Sequence, residues 1–256
     1  MELQALIFDV DGTLADTERD GHRPAFNAAF AEAGLSWHWD EGLYGELLAI
    51  TGGKERIRHF AASRDPAFLD HPDAELRIRA LHAAKTRFYL AELANGAIPL
   101  RPGVARLLRQ ARAAGLRLAI ATTTSPENVA VLLRSTLGAA APGWFEAIGA
   151  GDVVAAKKPA PDIYLWVLQR LGLPAAACLA FEDSANGLHA SRRAGLATVV
   201  THNDYTADQS FAGAAALLTG FGEPGAPFRV LAGDAQGRTH VDPELLRIWH
   251  RTAVVL

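Results

Sequence analysis

The chain has 256 residues, half of them hydrophobic, and its 25 basic and 28 acidic residues give a net charge of −3. This balance excludes a strong overall field that would attract nucleic acid or an anionic membrane, so we expect neither as a partner. The single cysteine, Cys178, excludes an intrachain disulfide, and its apolar neighbours predict a buried strand residue. No apolar stretch reaches the roughly 20 residues of a membrane span, and no signal sequence is recognisable, so we expect a cytoplasmic protein.

The first predicted element is an apolar run over residues 3–8, typical of a strand buried on both faces of a parallel sheet. Asp9 and Asp11 follow it, and Gly12 lets the chain turn. Two carboxylates at the carboxyl edge of a central strand suit a cation, or a pair in which one attacks and the other transfers protons. Taken alone, the pattern also fits turn residues that cap the next helix.

Residues 17–96 have apolar positions at helical spacing and show no convincing strand. After residue 99, predicted strands alternate with helices, which is typical of a doubly wound parallel sheet. The strands are expected over 116–121, 147–150, 178–181 and 198–200, and the helices over 104–114, 128–137, 163–171 and 186–194. We therefore predict an α/β fold with a Rossmann-like core and an inserted all-helical cap that can exclude water.

The expected domain boundaries follow this alternation. Residues 1–16 and 97–220 form the catalytic core, residues 17–96 form the cap, and residues 221–256 form an extension packed on the core. Within the extension we expect short strands over 228–231 and 239–241 and a helix over 243–249. Its residues suggest no catalytic or binding role.

A run of hydroxyl residues from Thr122 to Ser125 follows the predicted strand over 116–121. Hydroxyls and backbone N–H groups at a strand-to-helix turn suit a phosphate oxygen. Ser125 before Pro126 also fits an ordinary helix N-cap. Both interpretations can hold, with Ser125 capping the helix and Thr122 binding.

Two further charged clusters follow apolar runs. Lys157 and Lys158 come after residues 153–154, interpreted as the end of a strand, where an ammonium can neutralise a carboxylate and a phosphoryl group together. A solvated surface pair is the plainer interpretation. Glu182 and Asp183 end the next strand, where they can complete an oxygen-ligand site for a hard cation such as Mg²⁺, or simply cap the helix that follows.

These clusters form an ordered set in which each polar group ends a successive buried strand. In that order they resemble the four motifs of the haloacid dehalogenase superfamily of phosphotransferases, over roughly residues 3–206. The residues that carry the resemblance are Asp9-Val10-Asp11-Gly12-Thr13, Thr122, Lys158 and Glu182-Asp183. The resemblance implies that Thr122 and Lys158 bind the transferring phosphoryl group.

The same resemblance implies roles for the acidic residues. Asp9 is the nucleophile and forms an aspartyl phosphate, and Asp11 is the general acid and base. Asp9, the backbone carbonyl of Asp11, and Asp183 hold the cofactor Mg²⁺, which Glu182 reaches through water. Because Asp11 is not held to the metal by its side chain, it is free to protonate a leaving alkoxide and then activate water.

Segments of the predicted cap, around Thr17, Leu43, Gly52 and His82, look like those of the CbbY-type phosphatases. That resemblance implies a sugar phosphate substrate, xylulose 1,5-bisphosphate, a rubisco inhibitor that would be dephosphorylated to xylulose 5-phosphate. The expected substrate-binding residues are Glu18, His22, Gly52, Gly53, Lys54, Arg56, His82, Lys85, Thr123, Thr124 and Asn128.

The lysines support a second anion site. Only four of the 25 basic residues are lysines, and Lys54 and Lys85 fall in the cap segments while Lys157 and Lys158 form the core pair. A helix that opens at Gly52-Gly53 would direct N–H groups at a distal phosphate, although a plain loop pair with solvated charges also fits.

Three functions remain open from the sequence. The first is the phosphatase, expected to act as a monomer. The second is a β-phosphoglucomutase-like mutase, which returns the phosphoryl group to a sugar instead of water. The third is a non-catalytic sensor of sugar phosphates, which should have lost the nucleophile or Asp11, and this chain has kept both.

Overall fold

The chain leaves the unit that carries its first strand after Asp16 and re-enters that unit at Pro99, so it divides into two units. This computed structural model describes residues 1–253. The helical unit comprises Thr17–Ile98, and the core unit comprises Met1–Asp16 and Pro99–Leu256. No helix within the described residues is long and apolar enough to cross a membrane.

The helical unit contains no strand among its residues, all of which the structure describes. A π-helical segment over Glu18–His22 continues directly into α1. The remaining helices follow in chain order, and the set is α1 (Arg23–Glu32), α2 (Glu41–Leu47), α3 (Gly53–Arg64), α4 (Pro66–Leu69) and α5 (Ala74–Ala94).

Aromatic packing holds the helical unit together. Trp39 is fully buried, with its ring against Phe26, Phe30 and Tyr44. The Asn27 side chain bonds both the N–H and the carbonyl of Trp39, at 2.8 and 2.9 Å, which fixes the loop after α1. These rings are core residues, in agreement with their apolar spacing.

The core unit is built on one seven-stranded sheet in the order β3-β2-β1-β4-β5-β6-β7. Every neighbouring pair is parallel except β6 and β7. The strands are β1 (Ala5–Phe8), β2 (Arg117–Ala121), β3 (Phe145–Gly149), β4 (Cys178–Glu182), β5 (Ala197–Thr201), β6 (Ala216–Leu218) and β7 (Val230–Ala232). The doubly wound parallel sheet predicted from the alternating pattern is confirmed.

Strand β1 lies at the centre of this sheet, with Phe8 in register with Ile120 of β2 and Phe181 of β4. All four of its residues are buried because helices cover both faces of a parallel sheet. The helices of this unit are α6 (Val104–Ala113), α7 (Pro126–Leu137), α8 (Asp162–Leu171), α9 (Ala185–Arg193) and α10 (Pro243–Ala253). Cys178 is buried at the start of β4, as expected.

Three local predictions were wrong. Strand β6 was missed because it has only three residues and begins at the end of the alanine run 214–216, so its strand state comes from pairing with β5 and not from intrinsic preference. Residues 239–241 form no strand, since Val241 N–H bonds the loop carbonyl of Phe221. Residues 153–154 also form no strand, and Lys158 follows β3 through a series of turns.

Candidate active site

Asp9 extends the central strand beyond Phe8, and only 7% of its surface is exposed. Its N–H donates to the Phe181 carbonyl at 3.0 Å, which continues the strand pairing by one residue. Gly12 then turns with φ +80°, and a Cβ there would overlap the Asp183 carboxylate. The glycine is therefore required by the close approach of the loop to Asp183.

Lys158 joins two carboxylates in the interior of the core unit. Its Nζ donates to Asp9 Oδ1 at 2.6 Å and to Glu182 Oε1 at 2.6 Å. Its side chain is 6% exposed, and Glu182 is 1% exposed. The site thus brings together residues separated by 149 positions in the chain.

The two adjacent lysines have different environments. Lys157 donates to Asp152 Oδ1 at 2.6 Å and to the Gly151 carbonyl at 3.0 Å, and its partner Asp152 is exposed. The interpretation as a surface charge fits Lys157, whereas Lys158 is the buried member of the pair.

The N-cap of α9 is Ser184, whose hydroxyl accepts from the Gly187 N–H at 3.1 Å. The alternative in which Glu182 or Asp183 caps this helix is therefore wrong.

Burial and the closeness of like charges shift the pKa values of the acids in this cluster. Burial raises the pKa of Asp9 to about 7, opposed by Lys158 and reinforced by Glu182 and Asp11. Burial, together with Asp9 and Glu182, also raises the pKa of Asp183 well above its usual range. Although burial disfavours its ammonium, Asp9 and Glu182 together raise the pKa of Lys158. The cluster therefore has more acidic groups than one lysine can neutralise.

The acids of this cluster also fit a hard cation. Asp9, Glu182 and Asp183 are all buried, and one carboxylate oxygen from each lies within 4.8 Å of the others. Glu182 Oε2 is buried without a hydrogen-bond partner among the described residues. Carboxylate oxygens and an excess of negative charge are what Mg²⁺ binds best, so this set of oxygens suits that ion.

Two residues that the sequence did not suggest orient this edge of the sheet. Asn203 Nδ2 donates to Asp183 Oδ2 at 2.7 Å. Buried Arg101 donates to the Gly12 carbonyl and, at 2.8 Å, to the Thr201 carbonyl, which joins the loop after β1 to the end of β5. Asn203 lies two residues after the end of β5. A polar residue just after a strand is the sequence feature that could have identified it as part of the site.

The hydroxyl run forms the turn between β2 and α7. Thr122 is buried at the end of β2, and its Oγ1 accepts from the Thr124 N–H at 3.3 Å. Ser125 caps α7 by accepting from the Asn128 N–H at 3.2 Å, so the cap interpretation holds for Ser125. Asn128 Nδ2 donates to Thr124 Oγ1, while Thr123 is half-buried. Thr122 thus lies at the sheet edge that also carries Asp9.

In the helical unit, four predicted ligands form two pairs. Arg56 is buried and lies 3.8 Å from Glu18 Oε2, and both residues bond the Tyr44 hydroxyl. Lys85 and His22 are also buried, and Lys85 Nζ donates to His22 Nδ1 at 2.8 Å. Lysine has no acceptor, so this contact places the His22 proton on Nε2.

The glycine pair begins α3, where a positive φ favours glycine at Gly52 and close packing against the His82 ring favours it at Gly53. Gly52 is the N-cap with φ +102°, and a Cβ on Gly53 would lie 2.6 Å from the His82 ring. The Glu55 carboxylate lies against Gly52, and its Oε2 is buried without a partner among the described residues. The predicted anion site thus shares its helix start with an acid, and Lys54 there is half-buried.

Comparison with known proteins identifies the family of this chain. Residues 3–195 match the family of haloacid dehalogenase-like hydrolases. The chain is 51% identical over 255 residues to the plasmid CbbY protein of Cupriavidus necator, covering 99% of both.

Two solved structures of CbbY from Rhodobacter sphaeroides are also similar. One is in complex with phosphate, is 49% identical and has a TM-score of 0.79, covering 85% of this chain and 94% of that one. The other is a mutant in complex with xylulose-(1,5)bisphosphate, 48% identical, with the same TM-score of 0.79 and the same coverage.

Proposed function

This chain belongs to the haloacid dehalogenase-like hydrolases as a phosphoric monoester hydrolase of CbbY type, and from that premise we propose that it removes one phosphate from xylulose 1,5-bisphosphate. The proposed reaction needs Mg²⁺ and passes through an aspartyl phosphate. The observation that supports it best is the buried Asp9 carboxylate, held at 2.6 Å by Lys158 at the mouth of the central strand. The mutant CbbY of R. sphaeroides in complex with this sugar bisphosphate supports the choice of substrate.

The proposed chemistry uses both aspartates of the first loop. An Asp9 oxygen attacks phosphorus, the bond from phosphorus to the sugar oxygen breaks, and Asp11 donates a proton to that oxygen. In the second half, Asp11 accepts a proton from water as the water attacks the phosphorus of the aspartyl phosphate, and the bond from phosphorus to the Asp9 oxygen breaks. Inorganic phosphate leaves, and both aspartates return to their starting states.

Lys158 and Thr122 are proposed to bind the oxygens of the transferring group. The ammonium offsets charge on the phosphoryl oxygens and on Asp9 within a buried site, where such interactions are strong. Mg²⁺, when bound by Asp9, Asp183 and the carbonyl of Asp11, would supply further positive charge for the phosphoryl oxygens.

The second phosphate and the sugar are proposed to bind residues of the helical unit. Lys54 and Arg56 near the start of α3, with Lys85, are the candidates for the distal phosphate. Glu18, His22 and His82 offer hydrogen-bonding groups for sugar hydroxyls, and Gly52-Gly53 offers backbone N–H groups. Thr123, Thr124 and Asn128 are proposed to line the turn beside the transferring phosphate.

The test is phosphate release from a panel of ketose bisphosphates and monophosphates, with Mg²⁺ or with a chelator. We expect the highest kcat/KM for xylulose 1,5-bisphosphate and no turnover with the chelator. Isomerisation of a hexose monophosphate after addition of a bisphosphate primer would instead establish the mutase and remove the phosphatase proposal.

A further inference from the structure

Glu182 accepts two hydrogen bonds on one oxygen. Its Oε1 accepts from Lys158 Nζ at 2.6 Å and from the Tyr164 hydroxyl. Tyr164 lies on α8, its side chain is fully buried, and its ring centroid is 5.3 Å from Lys158 Nζ. A buried tyrosine hydroxyl needs an acceptor, and here the acceptor is the carboxylate that also holds the lysine.

Gly187 makes room for the same carboxylate. It is the third residue of α9, and glycine is a poorer helix former than alanine. A Cβ on Gly187 would overlap both carboxylate oxygens of Glu182. The glycine therefore has a packing reason: its bare backbone forms one side of the space that Glu182 occupies.

We propose that Tyr164 and Gly187 are positioning residues for Lys158 that act through Glu182. The four-carbon stem of a lysine is flexible, so an ammonium must be anchored to stay against one oxygen. Glu182 supplies that anchor while Lys158 donates to Asp9 Oδ1. Tyr164 fixes Glu182 by its hydrogen bond, and Gly187 lets the carboxylate approach. The inference rests on the proposed role of Asp9 as nucleophile.

The first test is Tyr164→Phe, which keeps the ring and removes only the donor. Hydrolysis of p-nitrophenyl phosphate is measured, because this substrate does not depend on which sugar bisphosphate is natural. We expect kcat to fall about tenfold to a hundredfold, the range expected for a lost hydrogen bond to a charged group. KM should stay within about threefold, because the lysine charge remains in the site.

A double-mutant cycle separates positioning from general packing. In a Glu182→Ala background, Tyr164→Phe should change kcat by less than about twofold, because its acceptor has been removed. An equal loss in both backgrounds would show that Tyr164 acts only through packing and would overturn the proposal.

Gly187→Ala tests the positioning role by filling the space that the Glu182 carboxylate occupies. Gly143→Ala is the matched control. Apart from its chain neighbours, no atom of the described residues lies within 4 Å of a Cβ on Gly143, so the control should keep its kcat. We expect Gly187→Ala to lower kcat as Tyr164→Phe does, with folding checked by thermal unfolding. A folded Gly187→Ala enzyme with wild-type kcat would contradict the proposal.

Failure of the proposed function gives a different result. If Asp9→Asn retained hydrolysis, the covalent mechanism would be wrong whatever Tyr164→Phe did. If Asp9→Asn is inactive and Tyr164→Phe keeps full kcat, only the positioning role is lost.

Discussion

The Asn203 side-chain amide donates to Asp183 Oδ2 at 2.7 Å and thereby fixes the orientation of that carboxylate. Asn203 is itself held, because its Oδ1 accepts from the Tyr205 N–H at 3.0 Å and its N–H donates to Thr206 Oγ1 at 3.0 Å. A rigid hydrogen-bond donor behind a carboxylate is the usual support of a metal ligand.

Asn203→Ala is therefore expected to weaken Mg²⁺ binding. The loss of such a partner typically costs about tenfold to a hundredfold in metal affinity. Titration calorimetry with MgCl₂ measures the affinity directly, and the Mg²⁺ concentration at half-maximal activity should rise in parallel. Unchanged Mg²⁺ affinity in a folded variant would remove Asn203 from the support of Asp183.

Asp9→Asn should abolish turnover and leave the fold intact, because the amide keeps the size and loses the nucleophilic charge. Asp11→Asn should still bind substrate and release the alcohol slowly, with a loss of about 10²- to 10⁴-fold in kcat. Rapid-quench measurement of the leaving alcohol distinguishes the two variants. Substantial phosphate release by Asp9→Asn is the result that would exclude a covalent aspartyl intermediate.

Lys158→Arg should lower the rate of hydrolysis severely, although it keeps the positive charge. The buried Lys158 ammonium fits between Asp9 and Glu182, and a planar guanidinium is wider and differently shaped. A displacement of about 1 Å at a reacting group can cost about a hundredfold in rate. Lys157→Arg, at the neighbouring half-buried residue, is the matched control and should be mild. Equal effects in steady-state assays would contradict the assignment of Lys158.

The raised pKa of Asp9 predicts a stability that depends on pH in the metal-free protein. The folded pKa is about 7 and the ordinary value is 3.8, so over that interval the native state holds a proton that the unfolded state has lost. Stability from this group is therefore present below about pH 4 and falls as the pH rises toward 7. Asp183 adds a dependence of the same sign.

Thermal unfolding of chelator-treated protein from pH 5 to pH 8 tests this expectation. The melting temperature of Asp9→Asn should fall less over this interval than that of the unsubstituted protein. Added Mg²⁺ should stabilise the unsubstituted protein most at the upper end, where both acids are charged. A melting temperature of the metal-free protein that rises with pH relative to Asp9→Asn would show that the sign is wrong.

Lys54→Ala should raise the KM for xylulose 1,5-bisphosphate about tenfold, which is the lower end of the range for a lost charge-assisted contact. It should leave the hydrolysis of p-nitrophenyl phosphate unchanged. Lys157→Ala is the control for the loss of one lysine. The effect of Arg56→Ala should differ less between the two substrates, because Arg56 also donates to the Leu47 carbonyl at 3.1 Å and to Tyr44 within the helical unit. Equal effects of Lys54→Ala on both substrates would mean that Lys54 does not contact a distal phosphate.

The apolar runs of the sequence predict strands β1 to β5 and the positions of the acidic and hydroxyl groups that follow them. A buried parallel strand is recognisable as a continuous apolar run, and the polar residue after it must lie at the sheet edge. That local rule placed Asp9, Thr122 and Glu182-Asp183 correctly, as β1, β2 and β4 show.

The family resemblance singles out Lys158, and the tertiary structure shows that it is the buried lysine of the pair. The three-dimensional arrangement was also needed to show that β6 is a strand and that Tyr164, Gly187 and Asn203 surround the acids. Lys158 is 149 residues from Asp9, and Asn203 is 20 residues from Asp183. Contacts of this kind depend on how helices pack on the sheet and on where each chain reversal ends. No local pattern of hydrophobicity or turn residues encodes them, because the groups meet only after the strands have paired.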